Sequence, residues 1–239
     1  ADDTVTVMGN SVDNTISIDR SAPSVQVDSR QIVDIDGANT EAIVVDGRAG
    51  DDTITVSGSG GPPVTVQGGA PGASDTLVIE GDADAGDAFT YQAGASVDSG
   101  MVVLDGDETA FEEVETLTLD GGGGTGTDTL TMNATGASDQ ITLRADLEPD
   151  GTTPVTDGGS VETDFAPELI FTDFGSGPDS ALTLNGLGGD DSITARQVAD
   201  WVIAEVSING GAPSSSDSVA VIGADDTDET FVYSALTQN

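Results

Sequence analysis

Short runs in which apolar residues alternate strictly with Thr or Ser recur along the whole chain. TVTV (4–7), TISI (15–18), TITV (53–56), TLTL (116–119), TLTM (129–132) and SITA (192–195) place apolar side chains on one face and hydroxyls on the other. That is the period of a half-buried β-strand, and β-branched residues suit its pleated surface. The runs last about four to six residues, and Gly- and Asp-rich turns separate them. Helical periodicity is confined to RQVADWVIA (196–204), which holds the one tryptophan, and more weakly to AFEEVET (110–116). Three less regular arms, 19–42, 92–110 and 144–180, are expected to form excursions or additional outer rungs.

The alternating runs belong to a repeat. ADDTVTVMGNSVDNTISI (1–18), SDTLVIEGDADAGDAFTY (74–91), TDTLTMNATGASDQITL (127–143) and SDSVAVIGADDTDETFVY (216–233) share a polar lead, a short strand, a Gly/Asp turn and a second strand. A second set leads into the first: VVDGRAGDDTITV (44–56), VTVQGGAPGASDTLVI (64–79), LTLDGGGGTGTDTLTM (117–132), LTLNGLGGDDSITA (182–195) and VSINGGAPSSSDSVAV (206–221). The copies group into units of about 14–86, 87–138 and 139–228, with partial units at 1–13 and 229–239. The whole chain, 1–239, thus reads as one continuous tandem-repeat segment that opens and closes in the same phase. Such a segment is expected to belong to a longer array or to associate with itself end to end or side by side.

Short rungs joined by glycine turns predict an all-β parallel β-solenoid, or β-helix-like, stack. Identical rungs stacked about 4.8 Å apart bury an inward Val/Ile/Leu column that no single rung could bury. The competing architecture is a string of antiparallel β-sandwich modules, which units of this size would also fit.

Composition narrows the chemistry. Five basic residues, all arginine, stand against 44 acidic ones, and there is no His and no Cys. A formal net charge of −39 argues against nucleic acid and against an anionic membrane surface as partners. Disulfides, zinc–thiolate sites and Ser–His or Cys–His nucleophile pairs are excluded. No apolar stretch is long enough to span a bilayer. The missing Met at position 1 is expected to mark removal or omission of an upstream segment.

The turns carry the candidate chemistry. Glycine allows backbone carbonyls to converge, and paired carboxylates such as Asp51–Asp52 and Asp190–Asp191 repel one another unless a cation sits between them. The other reading is that these aspartates cap turns and stay solvated. VDGRAGDDTI (45–54) and LNGLGGDDSI (184–193) resemble the nonapeptide of the repeats-in-toxin (hemolysin-type) calcium-binding family, Gly-Gly-x-Gly-x-Asp-x-apolar-x. The resemblance covers about a quarter of the chain and implies a β-solenoid with calcium held between turns. It assigns turn and ligand roles to Gly47, Gly50 and Asp52, and to Gly186, Gly189 and Asp191, with Ile54 and Ile193 pointing inward. Arg48 and Leu187 stand where the family has its second glycine. LDGGGGTGTDTL (119–130) is similar but longer. The candidate metal-ligating set is therefore Asp46, Gly47, Gly50, Asp51, Asp52, Asp120, Asp128, Gly186, Gly189, Asp190 and Asp191, with calcium as the cofactor.

Other readings are weaker. Glycoside hydrolysis needs aromatic platforms, and the chain has one Trp and two Tyr; the glutamates Glu112, Glu113 and Glu115 read as a solvated face. The Thr-x-Thr runs are similar to ice-binding arrays, but their irregular spacing predicts a broken register. Asn133-Ala134-Thr135 matches the glycosylation acceptor pattern. The expectation is a non-enzymatic, extracellular or cell-surface structural protein: a segment of a filament, surface layer or giant adhesin stalk, stabilised by cations. The alternative is an adhesive module binding a ligand such as a surface glycan through the arm 144–180, with Phe165, Phe171 and Phe174, or through the surroundings of Trp201.

Overall fold

The computed structural model describes residues 3–69, 74–83, 86–124, 126–144, 157–174, 180–196, 201, 203–212 and 216–223. Among them the chain is all-β, with no helix. Nine strands form one sheet: β1 (Thr4–Met8), β5 (Ala42–Asp46), β7 (Val64–Gln67), β9 (Ala88–Ala93), β10 (Gly100–Leu104), β11 (Asp107–Glu112), β13 (Thr129–Asn133), β17 (Ala181–Asn185) and β19 (Glu205–Asn209). Eleven form the other: β2 (Thr15–Asp19), β3 (Ser24–Val27), β4 (Val33–Asp34), β6 (Thr53–Ser57), β8 (Thr76–Glu80), β12 (Thr116–Asp120), β14 (Gln140–Arg144), β15 (Gly159–Thr163), β16 (Glu168–Thr172), β18 (Ser192–Arg196) and β20 (Ser218–Ile222).

The spatial orders are β1-β5-β7-β11-β10-β9-β13-β17-β19 and β20-β18-β14-β15-β16-β12-β8-β6-β2-β3-β4. Neither sheet closes on itself. Outside three meanders the chain alternates between the sheets, and strands pair in parallel with the next strand to return or, where a meander intervenes, with one of its outer strands, as β7 does with β11 and β12 with β16. A parallel pair needs a long crossover; here the crossover is a strand of the opposite sheet. Every antiparallel pairing lies in the meanders β2–β3–β4, β9–β10–β11 and β14–β15–β16. Both sheets are therefore mixed, not uniformly parallel. The meanders fall in the three irregular arms, where two added strands restore the chain's direction before the alternation resumes.

Register explains the core. Ile16, Ile54, Leu77, Leu117 and Leu169 stand opposite one another across five strands, followed by Ile18, Val56, Ile79, Leu119 and Phe171. All ten are buried, and they join Phe89, Tyr91, Leu130, Met132, Leu182 and Leu184 of the other sheet in one cluster. Each such side chain contributes about 1.5–3 kcal/mol on burial, and the contribution exists only when a neighbouring strand covers it. On the outer face Thr15, Thr53, Thr76 and Thr116 also stand in register. That column is more regular than the sequence spacing implied, although Glu168 ends it and Val78 interrupts the next.

Neither helix expectation holds among the described residues. AFEEVET is split: Ala110–Glu112 end β11, Glu113 turns with φ 58°, and Thr116 opens β12. Period-2 burial of Thr109 and Phe111 overrides the short acidic run. Arg196 closes β18, and Trp201, Ile203 and Ala204 are not helical; residues 197–200 and 202 lie outside the described set. Phe165, Phe171 and Phe174 are buried, and Phe171 packs against both Phe174 and Trp201 at centroid distances of 5.4 and 6.3 Å. The Trp201 indole N–H donates to the Gly158 carbonyl at 2.9 Å. These rings fill the core beside a meander instead of facing solvent.

Candidate functional site

Parallel strands leave a specific problem at their starts. At many strand starts the residue just before the strand is buried, Asn14, Asp52, Asp75, Asp87, Asp139 and Asp191 among them, and its backbone N–H needs an acceptor. Aspartate supplies it. The Asn14 N–H donates to Asp52 Oδ1 at 2.6 Å, the Asp52 N–H to Asp75 Oδ1 at 2.8 Å, and the Asp75 N–H to Glu115 Oε2 at 2.8 Å. A second ladder runs from the Asp139 N–H to Asp191 Oδ1 at 2.9 Å and from the Asp191 N–H to Asp217 Oδ1 at 3.0 Å. On the opposite turns the Asp87 N–H donates to Asp128 Oδ1 at 2.8 Å. The backbone carbonyls of the same residues continue the ladder: Asn14, Asp52 and Asp191 accept from Thr53, Thr76 and Ser218 at 2.9, 2.9 and 2.7 Å. Charge-assisted bonds to carboxylates are short and strong.

Each ladder residue closes back on its own turn. At most of them a glycine follows the preceding strand, with Ala134 in its place before Asp139, and the second carboxylate oxygen lies against that glycine. A Cβ at Gly47 would sit 2.6 Å from Asp52 Oδ2, one at Gly186 2.3 Å from Asp191 Oδ2, and one at Gly81 2.4 Å from Asp87 Oδ2. In some turns the residue after the glycine position satisfies that oxygen: Asp82 N–H donates to Asp87 Oδ2 at 3.1 Å, and Thr135 N–H to Asp139 Oδ2 at 2.9 Å. At Asp52, Asp75 and Asp191 the second oxygen is buried with no hydrogen-bond partner. The residues after the glycine there are Arg48, Gly69 and Leu187, with φ of 80°, 117° and 66°.

The electrostatics follow. Burial pushes the carboxyls of Asp52, Asp75 and Asp191 above the ordinary range, and neighbouring acidic groups add to it. Those neighbours are Asp13, Asp28 and Asp51 at Asp52, and Asp139, Asp217 and Asp190 at Asp191. Asp87 is pushed up to about 6, chiefly by burial, with Asp128, Asp105 and Asp82 contributing. The described arginines do not offset this. Arg20 donates to the Glu108 carbonyl and to Thr109 Oγ1, Arg144 pairs with Glu162, and the Arg48 guanidinium touches Met8 Sδ.

The sequence-predicted ligands fall into equivalent places. Turns 46–52 and 185–191 superimpose in role: Gly50 (φ 128°) packs on the Val12–Asp13 backbone, and Gly189 (φ 120°) on Ala137–Ser138. Asp51 and Asp190 are exposed, and their N–H groups donate to Asp13 Oδ1 at 2.9 Å and Ser138 Oγ at 3.0 Å. Asp46 closes β5, and its carbonyl accepts from Gly9 at 2.8 Å. Asp120 closes β12, and its Oδ1 accepts from Gly122 at 2.8 Å, while Asp128 belongs to the ladder. The two nonapeptide-like turns are not neighbours, because β7, β11, β10, β9 and β13 lie between β5 and β17. Their donor atoms, carboxylate and carbonyl oxygens, suit a hard cation. Among the described residues, however, no three acidic side chains converge on one point. Asn133 is also engaged, accepting from Asn185 Nδ2 at 2.9 Å.

Sequence reasoning did not single out Asn14, Asp75, Asp87, Asp139 or Asp217, and it read Glu115 as part of a solvated face, whereas Glu115 is half-buried and accepts the Asp75 N–H. The signal was present as an Asp or Asn directly before a strand in successive repeats, five to seven residues after a glycine or, once, Ala134. Comparison with protein-family models, curated proteins and solved structures yields no match.

Proposed function

We propose that this chain is a non-catalytic structural repeat segment of an extracellular filament, surface layer or adhesin stalk. In this reading it is a two-faced parallel β-solenoid punctuated by antiparallel meanders, one within each of the units 14–86, 87–138 and 139–228. Cations, calcium among them, hold its acidic turns together. The carboxylate ladder carries the proposal. It stacks like charges from rung to rung, and three buried oxygens have no protein donor. Such an array gains stability from lengthwise stacking. The positive φ of Arg48 and Leu187, at the second-glycine positions of the hemolysin-type pattern, supports the turn resemblance. Burial of Phe165, Phe171 and Phe174 supports this reading over an adhesive module that presents those three rings.

Thermal unfolding and sedimentation with calcium added and then chelated, at fixed ionic strength, test the proposal. A midpoint and an assembly state that both rise with calcium are expected. Indifference of both to calcium and to salt would sink the cation mechanism.

A further inference from the structure

The acidic turns border one broad surface that is almost clear of charge. On the outer face of the nine-stranded sheet a row of side chains crosses every strand in register, from Thr6 through Thr65, Met101 and Asn133 to Asn209. Its members alternate with core residues such as Val66, Val102 and Leu184, so they face outward, and none is charged. A second row, from Val103 through Thr131 to Ser207, is uncharged as well. Asp46, Glu112 and Glu205 stand at strand ends, and Glu108 is the second residue of β11. The comparable row on the other sheet, Ser17 to Ile170, spans five strands and then meets Ser160, Arg144 and Arg196.

A second observation falls on the same face. Beside the middle of the first row opens a cleft of about 480 Å³, lined by Met101, Ala134 and Leu187 with Gln92, and by no charged residue. Leu187 is the odd member. Its backbone is held at φ 66°, in the left-handed region that costs a leucine and not a glycine. Its side chain is 50% exposed. A strained backbone that presents an apolar side chain to water gains nothing for a lone chain. It gains when a partner covers that side chain.

We infer that this face, centred on Met101 and the cleft, is a docking surface for a second copy of the chain, sheet against sheet. Each copy carries a formal net charge of −39, so contacts that bring acidic turns together are opposed. Here two copies meet with their carboxylates at the margin. A basic partner would be drawn to the turns instead. A charge-depleted centre that includes methionine is also the composition of an interface core. Nine strands about 4.8 Å apart, each about 17 Å long, present roughly 650 Å², close to the roughly 800 Å² per partner of a standard interface. The same patch on both copies makes a contact closed by a two-fold axis, which joins two segments side by side. The inference rests on the structural reading above and names the surface through which such segments associate.

The test uses the full chain in calcium and about 1 M salt, where repulsion between turns is screened. Sedimentation of the parent is expected to show self-association. Met101→Asp and Thr131→Asp each put a carboxylate on the face and should raise the concentration for half-association about tenfold or more. Leu187→Gly should weaken association while leaving the fold as stable or more so. Thr55→Asp, on the other sheet, should change nothing. The chain has no cysteine, so Gln92→Cys reports contact without background. Packed faces about 10 Å apart lie within reach of a short bismaleimide, and covalent dimers are expected, with few from Thr55→Cys. Circular dichroism matching the parent establishes that each variant is folded. Association that persists through both aspartate variants, or that crosslinks equally well from Thr55→Cys, overturns the docking face and leaves the structural reading standing. A parent chain that stays monomeric in every cation and salt overturns both.

Discussion

At the scale of single residues, the ladder aspartates have two opposed effects. Each accepts a backbone N–H that would otherwise be buried without a partner, and each buries negative charge beside others. Substitution can separate the two. Asp52→Ala removes the acceptor for the Asn14 N–H and should destabilise by about 1–3 kcal/mol. Asp52→Asn keeps an acceptor oxygen and removes the charge; Asn14 already occupies a ladder position as an amide, its Oδ1 accepting the Asn10 N–H of its own turn at 2.7 Å. In chelator at neutral pH and low salt, the Asn variant should equal or exceed the parent, raising the melting midpoint by about 2–4 °C for each kcal/mol gained. If calcium is coordinated by Asp52, the order should invert when calcium is added. Asp87 gives the matching pH test. Its carboxyl is raised from 3.8 to about 6 in the fold, so the folded chain binds more protons than the unfolded one across that interval. Stability from this group is present at low pH and lost as pH rises through about 6. Asp87→Asn should match the parent near pH 4 and become progressively more stable than it up to pH 7, as read by midpoints in paired melts. A gap that stays constant across that range would contradict the shift.

At the scale of elements, the turn is the unit that sequence reading located correctly and interpreted too simply. Alternation identified the strands because Ile16, Ile54, Leu117, Leu130 and Ile193 must all face one core, and the broken pattern of the arms, read as excursions or outer rungs, coincides with the places where pairing changes direction. The role of Asp52 and Asp191 was not legible. A carboxylate that binds a cation and one that receives a neighbouring rung's N–H occupy the same place in a Gly–x–Asp–Thr pattern, and the stacking partners Asn14, Asp75, Asp139 and Asp217 lie 23 to 52 residues away. The acidic stretch at 110–116 misled for a related reason, since local charge carries no information about the β7 edge that β11 joins. The glycines at strand ends are now testable as parts of the same device. A Cβ at Gly47 would lie 2.3 Å from the Gly68 carbonyl as well as against Asp52, so Gly47→Ala should cost about 1–3 kcal/mol through forced backbone shifts. Gly136, in an equivalent outer turn with nothing within 4 Å, should tolerate alanine with little change. Leu187 is held at φ 66°, and Leu187→Gly should be neutral or stabilising, by up to about 1 kcal/mol, because the left-handed conformation costs a leucine and not a glycine.

At the scale of the whole molecule, a formal net charge of −39 on 239 residues sets the conditions under which the fold holds. The charge falls into two populations that respond to salt differently. Asp13, Asp51 and Asp190 are exposed at the turn rims, where a Debye length of about 10 Å at 0.1 M salt, shrinking to about 3 Å at 1 M, screens their mutual repulsion. Asp52, Asp75, Asp87 and Asp191 are buried, and salt reaches them far less. Sodium chloride should therefore raise the melting midpoint steeply between about 0.05 and 1 M, by on the order of 10 °C if several kcal/mol of repulsion are removed, and then level off. The pH dependence assigned to Asp87 should survive at the plateau, since it belongs to the buried set. Melts over a grid of salt and pH separate the two populations. A pH response that disappears in high salt would mean that the ladder is solvated and that its raised proton affinity is a surface effect. A midpoint that falls with salt would mean that attractive contacts such as Arg144–Glu162 outweigh the repulsion among 44 carboxylates. A rising midpoint with a surviving pH response is expected, because Asp87 is buried and its carboxylate accepts from the Asp82 N–H at 3.1 Å, out of reach of bulk sodium ions.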